Sequence, residues 1–136
     1  MQLLKTFIVE DSKIIRDNLI AALEELSPVQ VVGFAEDEPT AVQWLTEPSH
    51  VADLVIVDIF LKQGSGLGVL RAIHGMQPAR ATVVLSNHAT PEIRGKCTEM
   101  GASRVFDKSN ELDALMRYCE QLASGEAGNS VRGGFN

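Results

Sequence analysis

The sequence predicts an α/β protein built on a five-stranded, doubly wound parallel sheet with helices on both faces. Five short apolar runs alternate along the chain with segments whose apolar residues recur at helical spacing. Some of these runs are apolar throughout, such as VIV at 55–57 and VVL at 83–85, which is typical of strands covered on both faces. Repeated alternation of strands and helices favours a parallel sheet.

The first half of the chain supplies three strands and two helices. The strands are expected at 6–9, 29–35 and 53–58. Ser12 is suited to cap the first helix, whose apolar face carries Ile15, Leu19, Leu23 and Leu26. The second helix is expected to open at Glu38-Pro39, because proline is favoured in the first helical turn.

The second half repeats this pattern with three helices and two strands. Strands are expected at 81–86 and 104–107. The third helix begins at Ser65-Gly66, inside the stretch GSGLG, which is interpreted as a turn because it lacks the spacing of a nucleotide-binding loop. Thr90-Pro91-Glu92 opens the fourth helix with a capping hydroxyl and a proline, and the last helix is expected to start at Asn110.

Length, composition and charge narrow the class of protein. The 136 residues fit one domain, expected at 1–123, followed at 124–136 by a Gly- and Ser-rich tail or the start of a linker. A net charge of −6 argues against direct nucleic-acid binding, and no apolar run approaches the ~18 residues that span a membrane. Without a signal peptide, and with Cys97 and Cys119 lacking metal-site spacing, we expect a cytoplasmic protein with reduced thiols.

Polar residues follow four of the predicted strands at the point where each strand ends. These residues are Glu10, Asp11, Asp58, Ser86 and Lys108. Ligands of an open parallel sheet bind outside the carboxyl ends of its strands, so we expect these side chains to share one crevice. Three carboxylates there repel each other, and hard oxygen ligands favour Mg²⁺ as the ion that relieves the repulsion. The alternative is that the acids only cap helix N-termini.

Four stretches of the chain resemble the receiver (phosphoacceptor) domain of bacterial two-component response regulators. They are FIVEDSKIIRDNL, LVIVDIFLKQGSGL, TVVLSNH and GASRVFDKS, and the resemblance covers roughly residues 4–123. It implies a flavodoxin-like strand order of 2-1-3-4-5. It also implies a signalling switch without turnover of an external substrate, whose partners are a histidine kinase or histidine phosphotransfer protein and a downstream protein, with a homodimer as a further possibility.

The resemblance also assigns roles to single residues. Asp58 matches the phosphorylated aspartate, and Lys108 and Ser86 match the residues that contact the phosphoryl group. Glu10 and Asp11 match the acidic pair that holds Mg²⁺ together with Asp58 and the backbone carbonyl of Phe60.

Several positions depart from the family pattern. Val105 stands where an aromatic switch residue is usual, and the neighbouring Phe106 is expected to point to the other face of its strand. Phe60 and His88 are expected to flank the phosphoryl site, and because the Phe60 ring cannot orient an attacking water, we expect slow self-dephosphorylation. The interior Gly95 is expected to leave the fourth helix loosely held.

Rival functions come from different classes of protein. One is a Mg²⁺-dependent phosphohydrolase with Asp58 as nucleophile, although Phe60 stands where a general acid is expected. Another is a flavodoxin-like flavin binder, although Glu10 and Asp11 would repel its phosphate. A third is a receiver that signals without phosphorylation, given Val105.

Four arginines are expected to be solvated: Arg71, Arg80, Arg94 and Arg104.

Overall fold

A computed structural model describes residues 3–76 and 80–125 as a five-stranded parallel sheet with five helices. The strands are β1 (Leu4–Val9), β2 (Val29–Ala35), β3 (Leu54–Val57), β4 (Ala81–Ser86) and β5 (Arg104–Asp107). The helices are α1 (Lys13–Leu26), α2 (Glu38–Leu45), α3 (Gly66–Ile73), α4 (Pro91–Glu99) and α5 (Leu112–Ser124). The strand order is β2-β1-β3-β4-β5, which confirms the predicted architecture. Of the predicted tail, residues 126–136 lie outside the described part of the chain.

The core is divided by the sheet into two faces. Alternate residues of the strands pack toward α1 and α5 on one face, where Ile8 and Ile56 meet Leu23 and Leu115. The other face packs against α2 and α3 through one cluster and against α3 and α4 through a second. Because both faces are covered, the central strand β3 is fully apolar and buried. Within the described ranges, none of the helices combines the length and apolarity needed to cross a bilayer.

Local capping fixes where most helices begin. The Ser12 hydroxyl accepts a hydrogen bond from the Ile15 amide at 3.3 Å, and the Thr90 hydroxyl accepts one from the Ile93 amide at 3.2 Å, as the sequence predicts. The last helix begins at Leu112 rather than at the expected Asn110. The amides of Asn110 and Glu111 both donate to the Asp107 carbonyl, so these residues form a turn before α5 begins.

Two glycines differ sharply in their surroundings. A Cβ atom on Gly66 would collide with the backbone carbonyl oxygen of Asp58, whereas a Cβ on Gly95 would meet nothing within 4 Å. Backbone cannot yield to a methyl group as a flexible side chain does. Gly66 is therefore required for close packing of α3 on the end of β3, and Gly95 is not required by packing.

Alanine substitution at these two positions is expected to have opposite effects. Gly95→Ala should stabilise the fold by up to about 1 kcal/mol, since glycine in a helix interior costs that much relative to alanine. Gly66→Ala should destabilise the fold by more than about 1 kcal/mol because its site has no room. Urea unfolding followed by circular dichroism measures both effects, and a Gly66→Ala protein as stable as the wild type would contradict the packing described.

Both cysteines of the chain are buried, and their thiols are expected to be inert in the native protein. Burial raises the pKa of Cys97, and burial together with the charge of Glu120 raises the pKa of Cys119 to about 12. Because the pKa of the Cys119 thiol is higher in the folded than in the unfolded chain, its contribution to folding stability is complete below the ordinary cysteine pKa and is lost as pH rises toward 12.

A thiol reagent at pH ~8, just below the ordinary cysteine pKa, should therefore find no reactive thiol in the folded chain. After unfolding in guanidinium chloride it should find both cysteines. Rapid labelling of either thiol in the native protein would show that its burial is not maintained in solution.

Candidate functional site

The ends of three strands bring oppositely charged side chains into contact. Glu10 follows β1, Asp58 follows β3 and Lys108 follows β5. The Lys108 ammonium lies 2.6 Å from a Glu10 carboxylate oxygen and 3.0 Å from one of Asp58. Glu10 and Asp58 are only 3% and 9% exposed, so this lysine supplies charge compensation that solvent cannot.

Burial and pairing act in opposite directions on the lysine. Burial alone disfavours the charged ammonium, but the hydrogen bond to Glu10 and the charge of Asp58 outweigh it, and the pKa of Lys108 is raised. The ammonium is therefore kept protonated at the centre of the site. A fixed positive charge here is suited to neutralise an anionic group on Asp58.

Three carboxylates at this edge form a potential cation site. Oxygen atoms of Glu10, Asp11 and Asp58 all lie within 4.8 Å of one another. One oxygen of Glu10 is bonded to Lys108 and the other accepts from the Ser12 amide at 3.0 Å. Oxygen donors of this kind fit Mg²⁺, which usually takes one or two carboxylates and retains water. The residues present therefore suit the ion that the sequence predicts.

The structure places Ser86 and Phe60 beside this cluster through their loops. Ser86 is fully buried, its hydroxyl accepts from the His88 amide at 3.0 Å, and its carbonyl accepts from the Lys108 amide at 3.0 Å. The Phe60 amide lies 3.4 Å from an Asp58 carboxylate oxygen. The predicted site residues thus lie at the carboxyl end of the sheet, with Ser86 as the last residue of β4 and the others in the loops that follow β1, β3 and β5.

Two aromatic rings stand at the solvent side of the site. The Phe60 ring is 55% exposed and meets the His88 imidazole edge to face, with ring centroids 5.0 Å apart. These residues come from the loop after β3, which carries Asp58, and from the loop after β4, which follows Ser86. The residue whose amide lies beside the Asp58 carboxylate thus carries an exposed, apolar ring.

The two neighbouring residues of β5 point to opposite faces, as strand alternation predicts. Val105 packs with Cys97 and Ala102 on the α4 face, whereas Phe106 lies in the core on the other face, with its ring 6.1 Å from that of Tyr118. The aromatic ring next to the usual switch position therefore does not face α4.

Arg16 is a buried residue of this edge that the sequence analysis missed. Its guanidinium donates to the Glu10 carbonyl at 3.0 Å, pairs with Glu36 at 3.2 Å and lies over the Phe34 ring. At 4% exposure it is part of the core. Its spacing from Leu19 and Leu23 on the buried face of α1 is the signal that could have revealed it.

Arg94 is not simply solvated, contrary to expectation. Its guanidinium donates to the carbonyls of Ala89 and Val105 and pairs with the Glu111 carboxylate at 2.8 Å. An arginine has five N–H donors on a planar guanidinium, and three of them here join α4 to the loop before it, to β5 and to Glu111, the residue that precedes α5.

The stretch GSGLG forms the turn expected of it. The Ser65 amide donates to a Glu38 carboxylate oxygen at 2.8 Å, and the Ser65 hydroxyl caps α3 by accepting from the Leu67 amide at 3.0 Å. The glycines let the Glu38 side chain lie against this loop, since a Cβ at Gly64 or Gly68 would collide with it. An internal carboxylate therefore occupies the loop.

Comparison with known proteins identifies relatives along most of the chain. The family model for the response regulator receiver domain matches residues 6–120. Fimbriae Z protein of Salmonella typhimurium is 27% identical over 118 residues, covering 87% of this chain and 55% of that protein. Protein-glutamate methylesterase/protein-glutamine glutaminase 3 of Myxococcus xanthus is 33% identical over 129 residues, covering 88% of this chain and 34% of that protein.

The chain thus spans about half or less of the length of these curated relatives. Among solved structures, the isolated REC domain of RcsB from Salmonella enterica serovar Typhimurium, determined with phosphomimetic BeF3−, superimposes with a TM-score of 0.78 at 23% identity. The match covers 92% of this chain and 91% of that domain, and it supports the fold. The family match, together with the strand order and the carboxylate-lined edge, shows that this chain belongs to the response regulator receiver domain family.

Proposed function

We propose that Asp58 accepts a phosphoryl group from a histidine kinase or a histidine phosphotransfer protein, and that phosphorylation alters a surface recognised by a downstream protein. The observation that carries this proposal is the buried Asp58 carboxylate held 3.0 Å from the Lys108 ammonium. A carboxylate is a competent nucleophile toward a phosphoryl group. Phosphoryl transfer then requires mainly positioning and charge neutralisation.

Mg²⁺ is the cofactor that the donor set fits. We assign direct binding to Asp11 and Asp58, with the Phe60 backbone carbonyl as a further ligand. Glu10 is assigned a water-mediated contact, which is supported by the bonds its two carboxylate oxygens already make to Lys108 and Ser12. When bound, the ion supplies positive charge that offsets the carboxylates and the phosphoryl oxygens.

The chain's own residues divide the transfer step among them. One Asp58 carboxylate oxygen forms a bond to phosphorus while the bond from phosphorus to the donor's imidazole nitrogen breaks, and that nitrogen keeps the bonding electron pair. The Lys108 ammonium stays protonated and faces the phosphoryl oxygens. The Ser86 hydroxyl, free to rotate about its C–O bond, donates to one of these oxygens after transfer.

The proposed role is that of a switch within residues 1–123, not of an enzyme with an external substrate. Phe60 offers no acid to protonate a leaving group, which disfavours the phosphohydrolase alternative. The proposed partners are proteins, including a second copy of the chain, and the proposed location is the cytoplasm. The net charge of −6 supports the absence of direct nucleic-acid contact.

The test is incubation with acetyl phosphate and Mg²⁺, followed by intact-mass measurement. The wild type should gain one phosphoryl group, Asp58→Asn should gain none, and Asp11→Ala should gain it much more slowly because a metal ligand is lost. Asp113→Asn, a change of the same type on the exposed surface of α5, is the matched control. Phosphorylation of Asp58→Asn would refute the assignment, and sustained turnover of a phosphate ester would favour the phosphohydrolase.

The phosphoryl group on Asp58 is expected to persist for hours in the absence of other proteins. The ring of Phe60, two residues after Asp58, cannot hydrogen-bond a water for in-line attack, whereas a side-chain amide can, so Phe60→Gln should shorten the lifetime of the phosphoryl group. The rate of phosphate release after the phosphoryl donor is removed measures the lifetime of the phosphoryl group in the wild type and in Phe60→Gln. Val51→Gln, at a comparably exposed apolar site away from the carboxylates, should not change the lifetime. A wild-type half-life of seconds would contradict this account.

A further inference from the structure

We propose that Arg94 and Glu111 form a clamp that positions two loops for phosphoryl transfer, the loop that follows Ser86 and the loop that carries Lys108. The inference rests on the proposed function of those loops. Neither residue touches the reacting atoms, so both are positioning residues. The geometry that points to this role is a chain of short hydrogen bonds running behind the site.

The first half of the clamp is the Arg94 guanidinium on α4. Its Nε donates to the Ala89 carbonyl at 2.9 Å, and Ala89 lies in the loop that follows Ser86. Its Nη1 donates to the Val105 carbonyl at 2.8 Å. β5 is an edge strand, whose outward-facing backbone groups have no neighbouring strand, and Arg94 provides a hydrogen-bond donor to a carbonyl of this strand.

The second half is the Glu111 carboxylate at the start of α5. Its Oε1 accepts from Arg94 Nη2 at 2.8 Å and from the Asp107 amide at 2.8 Å. Asp107 directly precedes Lys108. The hydrogen bond from Arg94, followed by that from the Asp107 amide, lowers the pKa of Glu111, so the carboxylate remains charged at neutral pH.

The two halves meet at the site itself. The Lys108 amide donates to the Ser86 carbonyl at 3.0 Å, which closes a ring running from the Ser86 loop through Arg94 and Glu111 to Asp107 and Lys108. Displacing the Ala89 carbonyl therefore also shifts the groups that hold Lys108. An isolated ion pair on the surface contributes little to folding stability. The Arg94 guanidinium also donates to two backbone carbonyls, and these hydrogen bonds fix the position of the guanidinium.

The packing of α4 makes such a clamp necessary. Of the residues of α4 that the structure describes, only Cys97 is fully buried, and the Val105 side chain facing the helix is small. With few apolar contacts, the helix and the loop before it depend more on polar contacts for a defined position. Arg94 is in the first turns of α4 and thus lies where the helix meets the Ser86 loop.

The experiment compares phosphorylation rates of the full chain with acetyl phosphate under saturating Mg²⁺, using Arg94→Met, Arg94→Lys and Glu111→Gln. Arg94→Met should be slowed roughly tenfold, within the range that a misplacement of about 1 Å produces. Arg94→Lys, which keeps the positive charge but not the planar guanidinium, should have an intermediate phosphorylation rate. Lys96→Met on α4 and Glu120→Gln on α5, both exposed, are the controls and should match the wild type.

Mg²⁺ affinity, measured by calorimetry, separates positioning from general damage. The proposed metal ligands lie in loops that the clamp does not touch, so Arg94→Met should bind Mg²⁺ as the wild type does while transferring slowly. Equal losses of rate and of Mg²⁺ affinity would overturn the proposal. If Arg94→Met does not fold, Glu111→Gln carries the same test, since its carboxylate makes no backbone bond within α4.

The outcomes also distinguish the clamp from the proposed function. If the wild type takes up no phosphoryl group, the proposed function fails, and the clamp's role in transfer fails with it. If the wild type is phosphorylated and the Arg94 and Glu111 variants react at the same rate, the clamp alone is overturned. A slowed Arg94→Met/Glu111→Gln double variant whose rate equals that of Arg94→Met would support one coupled unit.

Discussion

The arrangement depends on one buried ionic contact, in which Lys108 lies between the carboxylates of Glu10 and Asp58. Two buried anions without a cation would carry a large desolvation cost, and removing one partner from such a group is far more costly than exchanging a surface pair. The contact joins the end of β5 to the ends of β1 and β3, although Glu10 and Lys108 are 98 positions apart in the chain. The charges proposed to serve phosphoryl transfer therefore also hold the ends of three strands together.

The parallel sheet itself brings the residues of this contact together. Strands of one direction deliver their carboxyl ends to a common edge, and β1 and β3 are direct neighbours whose register pairs Val9 with Val57. The residues that follow these two positions are Glu10 and Asp58. Their proximity is thus a consequence of strand register, and no side chain has to be bent out of an element to reach the site.

Much of this could be predicted from the sequence because its signals are local or simply periodic. Apolar runs and caps locate the strands and most helix starts, and strand alternation places Val105 and Phe106 on opposite faces. The unpredicted features depend on tertiary contacts. The helical spacing of Arg16 indicates burial but not its hydrogen bond to the Glu10 carbonyl, and nothing local in the sequence indicates that Arg94 binds the Ala89 and Val105 carbonyls. The late start of α5 likewise follows from the turn at Asp107.

The close approach at Gly66 has a mechanical meaning. With the first turn of α3 resting directly on the Asp58 backbone, that helix cannot slide or rotate without displacing the residue proposed to be modified. The first turn of α3 therefore holds the end of the central strand β3 in place. A rearrangement that leaves Asp58 in place would therefore have to involve α4 rather than α3, because, of the described α4 residues, only Cys97 is fully buried and the Arg94 contacts, being polar, can be exchanged.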